Sequence, residues 1–206
     1  MRQPSPAALG SVEPGADVIA IAASAGGLHA LRDLMAALPA SLSVPVLVVQ
    51  HLDPRRHSHI ADILGRATPL RVKEAVAGEP VLAGTVYIAP PDFHLLVAGD
   101  RTLSLTHTAR VRFVRPSADC LFESVAAVYG ARAIAVVLTG TGSDGVKGAQ
   151  AIKRAGGAVV AQDEATAEFF GMPGAVIASG CVDATLPLSQ IAPALVAMSG
   201  RKAAVV

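Results

Sequence analysis

The chain has no tryptophan, only 3% aromatic residues and two cysteines in 206 residues. Sparse aromatics leave no stacking platforms for single-stranded nucleic acid. A net charge of +1, with no basic run, leaves no electrostatic footprint for a phosphate backbone. Cys120 and Cys181 lie far apart, each flanked by apolar residues, which predicts reduced, buried thiols rather than a disulfide or a metal site. Hydrophobic residues make up 52%, yet no uninterrupted apolar run approaches the roughly 18 residues of a membrane helix. Residues 1–16 lack a basic region followed by an apolar core, so they read as a flexible tail and not as a signal peptide or anchor. The expectation is one domain over residues 17–199, a short C-terminal tail at 200–206, and a cytoplasmic protein without membrane insertion.

What the sequence does have is concentrated in Val18 to Leu38. The run VIAIAA is apolar throughout and of strand length, the pattern of a strand buried on both faces of a parallel sheet. Polarity begins at Ser24. Leu28, Leu31, Leu34, Met35 and Leu38 then follow helical spacing, so Ser24 sits at a strand-to-helix turn. Ala25, Gly26 and Gly27 leave that turn nearly bare, which lets backbone N–H groups and the positive helix end approach a ligand. Ser24 is either a helix cap or a nucleophile beside oxyanion donors. A hydroxyl becomes a nucleophile only when a base takes its proton, so the second reading requires a base and an acid at the same sheet edge.

The pattern continues as strand and helix in alternation. Val44 to Gln50 is a second buried strand, followed by a helix containing Ile60, Ile63 and Leu64 and a third strand from Leu70 to Val76. Thr85 to Ala89, Leu95 to Ala98 and Leu103 to Thr106 read as short strands of a peripheral antiparallel excursion, with a turn at Gly99-Asp100. A helix is expected over Ala118 to Tyr129 with Ser117 as its N-cap, then a strand over Ala133 to Leu138 and a helix over Val146 to Ala155 closed by Gly156-Gly157. Ala158 to Ala161 begins a further unit, and a short apolar segment near Cys181 precedes a last helix around Ile191 to Met198. This alternation indicates an α/β fold.

Such sheets bind ligands beyond the carboxyl ends of their strands. Of six histidines, only His51 directly follows a long buried strand; His57 and His59 belong to a charged segment, His29 to the first helix, and His94 and His107 flank the hairpin. Asp144 opens a helix, where a carboxylate is stabilised as a cap. Ser24, His51 and Asp144 supply a hydroxyl, an imidazole and a carboxylate, the set that acyl transfer needs. Their order along the chain differs from that of α/β-hydrolases, and there is no GxSxG elbow. A competing reading comes from residues 140–145, GTGSDG, which match GxGxxG between a strand and a helix, with Asp163 about 20 residues further on. Dinucleotide binding is disfavoured there because Asp144 would set a carboxylate against the pyrophosphate.

With these residues in place, the sequence resembles the catalytic domain of the bacterial chemotaxis methylesterase CheB from about Asp17 to the last helix. The family's IGASxGG motif is matched by Ile21 to Gly27, its QH motif by Gln50-His51, and its LTGxGxDG motif by Leu138 to Gly145. Ala89 to His94, Arg115 to Asp119, and Ala161 to Asp163 leading to Gly171-Met172-Pro173 are similar. The resemblance implies a doubly wound, mostly parallel sheet with helices on both faces and a small antiparallel hairpin. It also implies hydrolysis of glutamate γ-methyl esters on the cytoplasmic helices of methyl-accepting chemoreceptors, with glutamine deamidation in some members, and no metal or cofactor. Ser24 becomes the nucleophile, His51 the base and then acid, and Asp144 the orienting carboxylate. Ala25, Gly26, Gly27, Thr141 and Arg115 become oxyanion or substrate-binding candidates. Ala25 and Thr141 depart from the usual threonine and methionine of the motifs, and no receiver domain precedes the first strand, so phosphorylation control in cis is not expected. A noncatalytic scaffold of the same fold is the remaining alternative.

Overall fold

The computed structural model describes residues 15–52 and 58–199. The expected tails, apart from Gly15 and Ala16, and His57 lie outside the described residues. In chain order the elements are β1 (Val18–Ala23), α1 (Gly27–Ala37), β2 (Val46–Gln50), α2 (Ile60–Gly65) and β3 (Arg71–Glu74). Then come β4 (Thr85–Ile88), β5 (His94–Val97), β6 (Leu103–Thr106), α3 (Ala118–Tyr129) and β7 (Ala133–Val137). The last are α4 (Val146–Arg154), β8 (Ala158–Gln162), α5 (Gly171–Ala178), β9 (Ala184–Leu186) and α6 (Leu188–Ser199).

Seven strands form one parallel sheet in the order β3-β4-β2-β1-β7-β8-β9, and β5 and β6 form a separate antiparallel hairpin. The unbroken apolar character of β1 follows from its central position. Ile19 and Ile21 pack with Leu31, Leu34 and Met35 of α1 and Leu195 of α6 on one face. Val18, Ala20 and Ala22 pack with Leu121, Phe122 and Val125 of α3 on the other. Helices therefore cover both faces, and the chain reverses its direction of winding between β1 and β7. In doubly wound sheets that reversal opens a crevice at the carboxyl ends of the strands.

Three expectations need correction. Thr85 to Ala89 is not peripheral or antiparallel: β4 is an interior parallel strand between β2 and β3, paired through Val46↔Val86 and Val72↔Val86. All four of its residues are buried, which demands an interior place, whereas Arg71, Lys73 and Glu74 of β3 suit a sheet edge. The last units contain an unexpected helix, α5, whose Gly-Met-Pro-Gly opening hides helical periodicity, and the strand β9, too short to show alternation. Both cysteines are free, but only Cys181 is buried; Cys120 is half-buried. No helix among the described residues is long and apolar enough to cross a membrane.

Candidate active site

Strand register brings the first two site residues together. Ala23↔Gln50 is the last pair between β1 and β2, so Ser24 and His51 leave the sheet as neighbours, and the His51 amide donates to the Ala23 carbonyl at 3.0 Å. The Ser24 amide donates to Thr139 beyond β7, also at 3.0 Å, which ties the turn to a third strand end. Beneath these residues lies a floor of buried polar side chains. Gln50 Nε2 donates to the carbonyls of Ser24 and His51 at 2.8 and 3.1 Å. Gln162 Oε1 accepts the Thr139 amide at 2.8 Å, and Thr139 Oγ1 donates to the Ala25 carbonyl at 3.0 Å. Each is the first polar side chain after an apolar strand run.

The turn after Ser24 depends on its glycines. Gly26 has φ 73°, a left-handed conformation that a side chain would strain, and a Cβ at Gly27 would stand 2.2 Å from Gln50 Oε1. The Gly27 amide already donates to the Ser24 carbonyl at 2.9 Å, so it is not free to hold an oxyanion. Among the described residues the amides of Ala25 and Gly26 have no acceptor, and they are the donors left beside the Ser24 hydroxyl. That hydroxyl likewise has no hydrogen-bond partner among the described residues.

His51 Nε2 donates to Asp144 Oδ2 at 2.8 Å, with both side chains nearly buried. Asp144 does not cap its own helix. Its carboxylate takes the amides of Ala118 at 2.6 Å and Asp119 at 3.2 Å, together with the Ser117 hydroxyl at 2.7 Å, all at the start of α3. Ser117 therefore directs its hydroxyl to Asp144 instead of capping α3 itself. The arrangement is reciprocal: Asp119, from the first turn of α3, accepts the amides of Gly145 and Gly148 at 3.0 and 2.9 Å at the start of α4. Burial pushes the Asp144 carboxyl up, but hydrogen bonds from His51, Ser117 and Ala118 outweigh it and hold the group below the usual carboxylate range. An ionised carboxylate only accepts, so the proton in the shared bond belongs to His51 Nε2, and in the neutral imidazole the lone pair then lies on Nδ1.

Other sequence-derived candidates take different roles. Arg115 gives Nε and Nη2 to Asp92 at 3.1 and 2.6 Å and Nη1 to the carbonyls of His107 and Thr108, so it anchors a loop and is not a free substrate cation. Thr141 is exposed beside the site. His94, fully buried, accepts the Ser117 amide on Nδ1 at 3.1 Å and so fixes the start of α3, a positioning role that its place beside the hairpin did not reveal. A cavity of about 70 Å³ lies between His51, Leu52 and the segment 110–116. A larger one of about 370 Å³ opens at the amino ends of the central strands, near Asp17 and Tyr129, away from these residues. The dinucleotide reading loses two of its donors: the Gly145 and Gly148 amides at the start of α4, which would cradle a pyrophosphate, are held by Asp119. Among the described residues no cluster of three or more His, Cys, Asp or Glu is placed to hold a metal ion.

Fold and site together define a doubly wound α/β domain with a hydroxyl, an imidazole and a carboxylate at its winding reversal. The family model described as CheB methylesterase matches residues 19–195, and the chain belongs to that family. It is 42% identical over 181 residues to protein-glutamate methylesterase/protein-glutamine glutaminase 2 of Caulobacter vibrioides, covering 86% of this chain and 52% of the relative. The protein-glutamate methylesterase/protein-glutamine glutaminase of Azospirillum brasilense is 41% identical over 207 residues, 98% of this chain and 52% of its own length. The chain thus spans about half the length of these curated relatives. The crystal structure of the Thermotoga maritima CheB methylesterase catalytic domain superposes with a TM-score of 0.85 at 38% identity, over 88% of this chain and 98% of that one.

Proposed function

We propose that the protein is a serine hydrolase that removes methyl groups from glutamate γ-methyl esters on the cytoplasmic helices of methyl-accepting chemoreceptors, acting in the cytoplasm, and that it also deamidates glutamines there. The observation that carries the reading is the 2.8 Å hydrogen bond from His51 to a buried, ionised Asp144, one strand away from Ser24. In this reading Ser24 Oγ attacks the ester carbonyl carbon while its proton passes to His51 Nδ1. The amides of Ala25 and Gly26 hold the tetrahedral oxyanion. Collapse breaks the bond to the methoxy oxygen, which leaves as methanol with the proton from His51. Water, deprotonated by the same imidazole, then attacks the acyl-enzyme, releasing the glutamate carboxylate and restoring Ser24. With glutamine the leaving group is ammonia. Asp144 keeps its charge throughout and stabilises the imidazolium. Methanol release from a methylated receptor fragment tests this reading. Wild type should release it and Ser24→Ala should lose about six orders of magnitude in rate; equal rates from the two proteins would refute the assignment.

A further inference from the structure

The turn at 111–114 stands at the mouth of the His51 cavity and carries a feature that the chemistry above leaves unused. Val111 and Val114 exchange backbone hydrogen bonds at 3.1 and 3.0 Å, and the two residues between them, Arg112 and Phe113, have φ values of 48° and 70°. Two consecutive left-handed residues at a hairpin turn are ordinarily Asn-Gly or similar, because a side chain there is strained. Here the second position holds a phenylalanine that is 94% exposed. The turn is nonetheless braced: Arg112 Nε donates to Asp119 at 3.2 Å and Nη1 to Ser143 at 2.9 Å, one on each side of the Asp144 network. A strained backbone, held by its neighbours, thus displays an aromatic ring to solvent at the rim of the site.

We propose that Phe113 is a substrate-docking residue, which inserts its ring against an apolar side chain of the ester-bearing helix while exposed Arg110 faces that helix's carboxylates. The proposal rests on the esterase reading. The cavity supplies the argument for a protein occupant. At about 70 Å³, lined by His51, Leu52, Arg110, Phe113 and Arg115 among others, it has no room for a helix. The rest of a polypeptide substrate must lie across the rim, where Phe113 and Arg110 are both exposed. Arg110 has no carboxylate partner among the described residues, so it is available to one on the substrate, which the esterase reading makes a glutamate-bearing helix. An apolar side chain one helical turn from the ester then meets the ring.

The test compares Phe113→Gly, which suits the left-handed backbone and preserves folding, with Phe113→Leu, which restores apolar area. Each is assayed on a methylated receptor fragment and on p-nitrophenyl acetate, a small ester that spans no rim. Phe113→Gly should raise KM for the fragment about ten- to a hundredfold. Its kcat and its turnover of the small ester should stay at wild-type values, and Phe113→Leu should recover most of the loss. Unchanged KM for the fragment overturns the proposal, as does an equal loss on both esters, which would mean that Phe113 shapes the site for any ester and does not dock a polypeptide. In a Ser24→Ala background, fragment binding by fluorescence anisotropy should weaken by the same factor. If wild type cleaves neither ester and Ser24 resists a fluorophosphonate, the esterase reading itself has failed and the docking role falls with it.

Discussion

Asp144 accepts from His51, Ser117, Ala118 and Asp119 at once, so one carboxylate orients the imidazole and also holds the start of α3. The two duties separate by mutation. Ser24→Ala should abolish hydrolysis and leave stability unchanged, because the hydroxyl has no hydrogen-bond partner among the described residues. Asp144→Ala should abolish hydrolysis and also lose about 1–3 kcal/mol in urea unfolding, because buried donors at the start of α3 lose their acceptor. The pH dependence has a definite sign. A carboxyl held below its ordinary value of 3.8 stabilises the fold above that value, and the contribution disappears as pH falls through the lower folded value. Wild type should therefore lose stability relative to Asp144→Asn as pH falls below about 4, a convergence visible in unfolding midpoints measured across the acid range. A difference that stays constant down to strongly acidic pH would show that the carboxylate is not ionised in the fold.

At the scale of elements, α3 and α4 are the pair that makes this site. Each helix has its amino-terminal amides accepted by a carboxylate from the other element's side of the contact, Asp144 on α3 and Asp119 on α4. Such an exchange needs close approach, and Gly148 provides it: a Cβ there would stand 2.5 Å from Phe122 Cβ and 3.0 Å from the Asp119 carbonyl. Gly148→Val should cost about 1–3 kcal/mol by overpacking, measured by urea midpoint. It should lower hydrolysis too, since parting the helices lengthens the Asp144 contacts that orient His51. A variant that unfolds earlier yet keeps full turnover would uncouple the helix contact from the site. The helices themselves were readable from periodicity. The exchange between them was not, because a carboxylate at a helix start looks the same in sequence whether it caps its own helix or a neighbour.

For the whole molecule, the decisive property is that one winding reversal collects the ends of β1, β2 and β7, while Asp119 already holds the Gly145 and Gly148 amides at the start of α4. Added NAD or NADP should therefore leave the melting temperature unmoved in a thermal shift experiment, since a nucleotide bound to the folded state alone would raise it by linkage. Sequence by itself determined the buried strands VIAIAA, VLVVQ and AIAVV, the strand-to-helix turn at Ser24, the residue types at three strand ends, and the family. Apolar runs and helical spacing are local consequences of burial, so they survive in one dimension. Only the tertiary structure decided that β4 lies between β2 and β3, that the Gly27 and Arg115 donors are already engaged, and that Gln50, Thr139, Gln162, His94 and Asp119 support the site. Strand order and hydrogen-bond partners join residues far apart in the chain, and no local pattern records which distant group a buried donor will meet.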